Sequence, residues 1–344
     1  MEKYRQQLEN AERIAIVRTD KLGDMVLTLP MLRAINSIAP QAKIDIIASS
    51  YTEILLNNQE LINQYFLIDK INGGIQTVFK SNRYDVAFFP RPQFAEIFSA
   101  FKNRIHLRVG SGYRWYSFLL NYKIFEHRKT AEKNEAQYNV DMVNTVGSTN
   151  YKAKLIKPYI PENKCIAEKL DLIDSYKEII IVHPGGGGSA PKWNADNFGK
   201  LAEILIKTGK YEVIITGTNE ESEYAHKVQK FAQKARNMCG KLTLEELMAV
   251  MDKSKCLIAN STGVLHIAAA IGINVIGFYP NTPSMSYHRW GALTDKAAFL
   301  SPEIDSDPKL NDDLNRISVD TAFKTFEELM RNARKKMKIS NITI

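Results

Sequence analysis

Asp24 closes the segment Arg18-Thr19-Asp20-Lys21-Leu22-Gly23, where an apolar run from Ile14 to Val17 gives way to a helical pattern. A carboxylate in a first helical turn is favoured in its ionised form by the helix dipole. At the mouth of a sheet it could take the proton of a hydroxyl nucleophile. The same position also suits an aspartate that merely caps its helix. A second constellation runs from His183 to Trp193, with Gly185, Gly186, Gly187 and Gly188 directly after a strand-like run. Glycines there let backbone N–H groups approach phosphate oxygens, Ser189 adds a hydroxyl, and Lys192 can offset the charge of a diphosphate leaving group. The order is neither a Walker A loop nor the GxGxxG dinucleotide fingerprint. The plain alternative is a glycine-rich linker. The third constellation is Asn260-Ser261-Thr262-Gly263-Val264-Leu265-His266, between a strand and a helix. Ser261 or Thr262 can cap that helix, and Gly263 opens its N–H groups to an anion.

Weaker candidates surround these three. Glu220 and Glu221 follow a strand end, where an acidic residue can hold ribose hydroxyls or simply start a helix. Asp305-Ser306-Asp307 spells a DxD triplet but lies among prolines rather than after a strand, so an exposed loop is expected and no required metal. His183 is assigned no role. Basic residues concentrate between 83 and 129, among them Arg91 and Arg114, which with Arg18 are candidates for an anionic partner. A solvated basic surface is the alternative.

The elements that must position these groups are legible as alternation. Apolar runs at Ile44–Ile47, Val86–Phe89, Glu178–Val182, Val213–Ile215, Cys256–Ala259 and Val275–Phe278 alternate with amphipathic stretches. That pattern is an α/β chain with parallel sheets. Pro158 and Pro161 mark a linker, which divides residues 1–160 from 161–318. A final helical stretch, 319–344, is expected to pack back on the first domain. Each half opens with a strand that enters a polar, glycine-bearing loop.

The 344-residue chain carries a net charge of +8, a hydrophobic fraction of 44% and three scattered cysteines. These values point to a globular chain and exclude a disulfide framework. The polar amino terminus has no apolar signal core, and no run reaches the ~18–20 apolar residues that span a bilayer. A cytoplasmic protein is expected.

Taken together, RTDKLGDMVLTLPMLRAI, HPGGGGSAPKWNADNF and LTLEELMAVMDKSKCLIANSTGVLHIAAAIG resemble glycosyltransferase family 9, the bacterial heptosyltransferases. The resemblance implies a GT-B fold, two Rossmann-like domains facing an interdomain cleft. It also implies inverting transfer of a heptose from ADP-heptose to a lipopolysaccharide core, without metal or cofactor. By resemblance Asp24 is the base. Ser189 and Lys192 bind phosphate, and Thr262, Gly263 and His266 form the donor turn. Glu220 or Glu221 contacts the ribose, and Leu242 lies near the adenine. The partners implied are a nucleotide-sugar donor and an anionic glycolipid, with transient contact at the cytosolic face of the inner membrane. Ser261 departs from the family, which carries aspartate there and so a charge for sugar hydroxyls. A different nucleotide-sugar donor, or a non-catalytic relative, therefore stays open. A nicotinamide dehydrogenase is disfavoured by the missing GxGxxG, and nucleic-acid binding by the absence of any recognised module.

Overall fold

The computed structural model describes residues 2–161, 176–186 and 190–340. Two compact units are present, Met1–Tyr159 and Ile160–Ile344, and their boundary lies beside Pro158 and Pro161.

The first unit holds six strands: β1 (Arg13–Val17), β2 (Lys43–Ala48), β3 (Gln64–Leu67), β4 (Val86–Phe89), β5 (Leu107–Ser111) and β6 (Tyr122–Ile124). Its helices are α1 (Glu2–Glu9), α2 (Leu22–Val26), α3 (Pro30–Ile38), α4 (Gly74–Ser81), α5 (Phe94–Lys102) and α6 (Glu135–Gly147). The sheet order is β3-β2-β1-β4-β5-β6, and every pairing is parallel. β1 and β4 are buried on both faces, which is why their sequences are continuous apolar runs instead of alternations. Ala15, Val17 and Phe89 face a core closed by Val78 and Phe79 of α4 and Ile97 and Ala100 of α5. Ile14 and Ile16 point the other way, the side that α3 and α6 complete. At the opposite edge from the motifs, buried Asp45 is tied to Arg13 Nε at 2.6 Å, to Asn63 at 2.8 Å and to Tyr84 Oη at 2.9 Å. This cluster pins the starts of the strands.

The second unit repeats the plan. Its strands are β7 (Glu178–His183), β8 (Tyr211–Ile215), β9 (Arg236–Asn237), β10 (Cys256–Asn260), β11 (Asn274–Phe278) and β12 (Ala297–Leu300). Its helices are α7 (Ala195–Lys207), α8 (Ser222–Phe231), α9 (Leu244–Lys253), α10 (Gly263–Ile271), α11 (Tyr287–Trp290) and α12 (Val319–Ser340). The order β12-β11-β10-β7-β8-β9, again parallel, is the first unit's order displaced by six strands. Asn194 caps α7 by accepting from Asn197 N at 2.8 Å, and Thr243 with Glu246 forms a capping box on α9.

α12 belongs to the second unit: Ala322, Phe326 and Met330 join the core beneath α7 and β11. Its apolar stripe is consumed there, and Phe326 meets Tyr211 edge to face at 5.2 Å.

In a doubly wound sheet, ligands bind beyond the carboxyl ends of the strands where the winding direction reverses. Those points lie between β1 and β4 in the first unit and between β7 and β10 in the second. The three motifs follow β1, β7 and β10.

Candidate active site

In the first unit, β1 delivers Arg18 into a nearly closed environment, 3% exposed. Its guanidinium grips Asp20 side-on, Nε at 2.6 Å and Nη2 at 3.1 Å, and Nη2 also donates to Asp24. Arg18, expected on the acceptor side, holds two carboxylates here. Asp24 is the third residue of α2. The N-cap is Lys21, which makes no side-chain cap, so Asp24 is held from below by Arg18 and does not act as a capping group. Burial raises the Asp24 carboxyl above its ordinary range, with Asp20 and Glu135 pushing the same way and Arg18 opposing. A carboxylate made more basic and fixed by a cation is suited to receive a hydroxyl proton. Behind it, Asn139 of α6 donates to Leu27 O at 3.0 Å, which locks the end of α2.

The loop after β4 completes this group. Arg91 stands 3.6 Å from Asp20, with its side chain half exposed. Glu96 of α5 accepts from Thr19 Oγ1 at 2.7 Å and is only 5% exposed. Its second oxygen, Oε2, is buried with no partner among the described residues. Burial pushes the Glu96 carboxyl up to about 7, against the pull of Thr19 and Arg91. Arg114 is exposed in the loop after β5. Sequence reasoning missed Glu96. The available signal was a lone carboxylate within the aromatic and aliphatic run Phe94-Ala95-Glu96-Ile97-Phe98.

In the second unit, the loop after β7 is built around one strap. Asn260, at the end of β10 and 2% exposed, donates to Pro184 O at 2.9 Å and accepts from Trp193 N at 2.9 Å. It clamps both ends of the glycine segment. Trp193 stacks on Phe278 at 4.2 Å and donates from Nε1 to Ile317 O at 2.9 Å, so Lys192 stands on a rigid base. The Lys192 ammonium lies 5.4 Å above the Tyr224 ring. A Cβ on Gly186 would come within 3.3 Å of Thr262 Cγ2 and 3.5 Å of Lys192 Cε. Lys192, Gly186 and Thr262 are thus brought together at the start of α10. Ser189 and its two preceding glycines lie outside the described residues.

Thr262 is the N-cap residue of α10 but makes no side-chain cap, and its Oγ1 is buried without a partner among the described residues. His266, one turn in, has an Nδ1 with no partner among the described residues and is driven down to about 4 by burial, so it is neutral at neutral pH. A helix start with open N–H groups, a free hydroxyl, an uncharged imidazole and a nearby ammonium suits a phosphate-rich anion. Ser261 interacts with the hydroxyl of buried Tyr279, which itself donates to Trp290 O at 3.0 Å. The departure from aspartate therefore comes with a neutral hydroxyl pair.

The acidic candidates divide. Glu221 carries a capping box with Thr218, accepting from Thr218 N at 2.9 Å, and its carboxylate closes against Gly185. Glu220 is exposed, and Leu242 is half-buried in the turn before α9. His183 is buried against Thr216 Oγ1 at 3.0 Å, and burial holds it below its usual pKa. Asp305 accepts from Asp307 N at 3.0 Å and pairs with Arg316 at 2.9 Å, so the DxD triplet is a braced loop.

The sequence profile of glycosyltransferase family 9 (heptosyltransferase) matches residues 79–315, more than half of the chain. The chain belongs to glycosyltransferase family 9. It is a glycosyltransferase with the GT-B fold. It is 27% identical to a Haemophilus influenzae protein whose name specifies a glycosyltransferase without donor or acceptor, over 93% of this chain and 97% of that one. The crystal structure of a family 9 glycosyl transferase from Veillonella parvula superposes with a TM-score of 0.81 at 19% identity, covering 93% of this chain and 97% of that one. Escherichia coli ADP-heptose lipopolysaccharide heptosyltransferase II superposes at 0.77 with 18% identity, covering 94% and 99%. These two superpositions establish the fold.

Proposed function

We propose that this family 9 glycosyltransferase moves a heptose from ADP-heptose to a lipopolysaccharide core or a related anionic glycolipid, with inversion and without a metal. The observation that carries the donor half is the cluster of Lys192, Gly186 and Thr262 at the start of α10, the Thr262 hydroxyl having no partner among the described residues. Heptose and ADP are supported by the family's description and by the donor in the name of the Escherichia coli relative.

Asp24 takes the proton of the acceptor hydroxyl as that oxygen attacks the anomeric carbon. The bond to the diphosphate breaks on the opposite face, and Lys192 and the amides opening α10 take up the charge of the departing ADP. Positioned charge of this kind supplies rate without reorganisation. Arg18 keeps Asp24 in place, and exposed Arg91 and Arg114 meet the acceptor's acidic groups. Such an acceptor is lipid-linked, so the reaction takes place at the cytosolic face of a membrane. Glu220 or Glu221 serves the ribose and Leu242 the adenine. The Ser261–Tyr279 pair favours a second reading, another nucleotide sugar in the same site.

Calorimetric titration with ADP, UDP and GDP, with magnesium and then with EDTA, tests the donor. Preference for ADP in both conditions supports the proposal. Preference for UDP or GDP replaces the donor, and binding lost in EDTA restores a metal.

A further inference from the structure

α5 is oriented against its own hydrophobicity. Glu96, Ile97, Ser99 and Ala100 are buried, whereas Phe94, Phe98 and Phe101 are exposed. Their spacing of four and three residues sets the three rings in one stripe along the helix. The stripe continues beyond the helix. Phe94 stacks on Phe98 at 5.6 Å and on Trp115 at 5.3 Å, and the Arg108 guanidinium lies 5.4 Å over Phe101. Trp115 is 75% exposed and Phe118 66%. Scattered exposed apolar residues are ordinary, but a contiguous aromatic surface of this kind marks an interface.

The charges around it have one sign. From Pro90 to Phe125 the only carboxylate is Glu96, and it is buried, while Lys102, Arg104, Arg114 and Lys123 are exposed. We propose that this stripe and the loop carrying Trp115 and Phe118 form a docking surface for an anionic lipid bilayer. Amphipathic rings settle at the headgroup level of a membrane, and Lys and Arg around them meet lipid phosphates. Among the described residues no helix is long and apolar enough to cross a membrane. The proposal deepens the lipid-linked acceptor reading, and its test runs without acceptor, so either can fail alone.

The full chain is sedimented with vesicles of phosphatidylethanolamine and phosphatidylglycerol, or of phosphatidylcholine alone. The wild type is expected to pellet with the anionic vesicles and to stay in solution with the zwitterionic ones. A Trp115→Ser, Phe118→Ser variant and a Lys102→Glu, Lys123→Glu variant should each bind at least about ten-fold more weakly. All four side chains are exposed, and circular dichroism checks that both variants fold. A wild type that remains in solution with anionic vesicles overturns the proposal, as do folded variants that pellet like the wild type.

Discussion

Asp24 and Glu96 are two carboxylates of the first unit that burial lifts above their ordinary pKa, and their surroundings give them different work. Asp24 is anchored by Arg18 and keeps part of its surface open, with a side chain 15% exposed. Asp24→Asn keeps the size and removes the basicity, so kcat should fall by about a thousand-fold, within the usual span for a general base. ADP affinity should hold, as read by calorimetry; normal turnover would remove Asp24 from the base role. Glu96 is shut in, with one oxygen lacking a partner among the described residues. Its pKa rises on folding from 4.5 to about 7. At low pH the buried acid is neutral in both states and costs nothing. As pH climbs from about 4.5 to about 7, the unfolded chain ionises first and stability drains away, by about 3 kcal/mol in all. Glu96→Gln should therefore stabilise the protein at pH 8 and leave it unchanged near pH 4. Denaturant titrations at both pH values check this, and an equal effect at the two would refute it. Lys192→Ala should weaken ADP binding by about ten- to a hundred-fold, the scale of one hydrogen bond to a charged group.

Between β7 and α7 the donor loop depends on a single side chain from another strand. Asn260 satisfies Pro184 O and Trp193 N together, so Asn260→Ala leaves buried groups without partners at a cost of about 2–4 kcal/mol. Both a lower thermal midpoint and weaker ADP binding are expected; full affinity would show that the loop holds its shape without the strap. At this scale the chain was unevenly legible. Of the eight interior strands, β1, β2, β4, β7, β8, β10 and β11 announce themselves as apolar runs because both their faces are covered, whereas β5, Leu107–Ser111, is broken by Arg108 and Gly110 and does not. The edge strands β3, β6, β9 and β12 are two to four residues long and partly exposed, too short for a run to stand out. α5 defeats periodicity outright, since its phenylalanines face solvent and its glutamate faces in. The final helix was visible as a helix, but its packing partner was not, because an apolar stripe does not say which core it will meet.

Across the whole molecule, two units with one strand order carry their motifs at the winding reversals, between β1 and β4 and between β7 and β10. Local spacing was enough to set Asp24, Lys192 and Thr262 in segments that follow strands, because a loop after a strand is recognisable from its own residues. The long-range partners were not legible: Glu96 of α5 meeting Thr19 after β1, and Asn260 strapping a loop about seventy residues away, are products of tertiary packing. Glycosyl transfer follows from the family, while donor and base are proposals that one assay joins. The purified protein is incubated with ADP-heptose and a heptose-deficient core glycolipid, and ADP release is followed alongside the mass of the glycan. The expected result is one heptose added per ADP released, in EDTA as in magnesium, and lost in Asp24→Asn. No heptose transfer by the folded wild type, together with turnover of a UDP- or GDP-sugar, would contradict it.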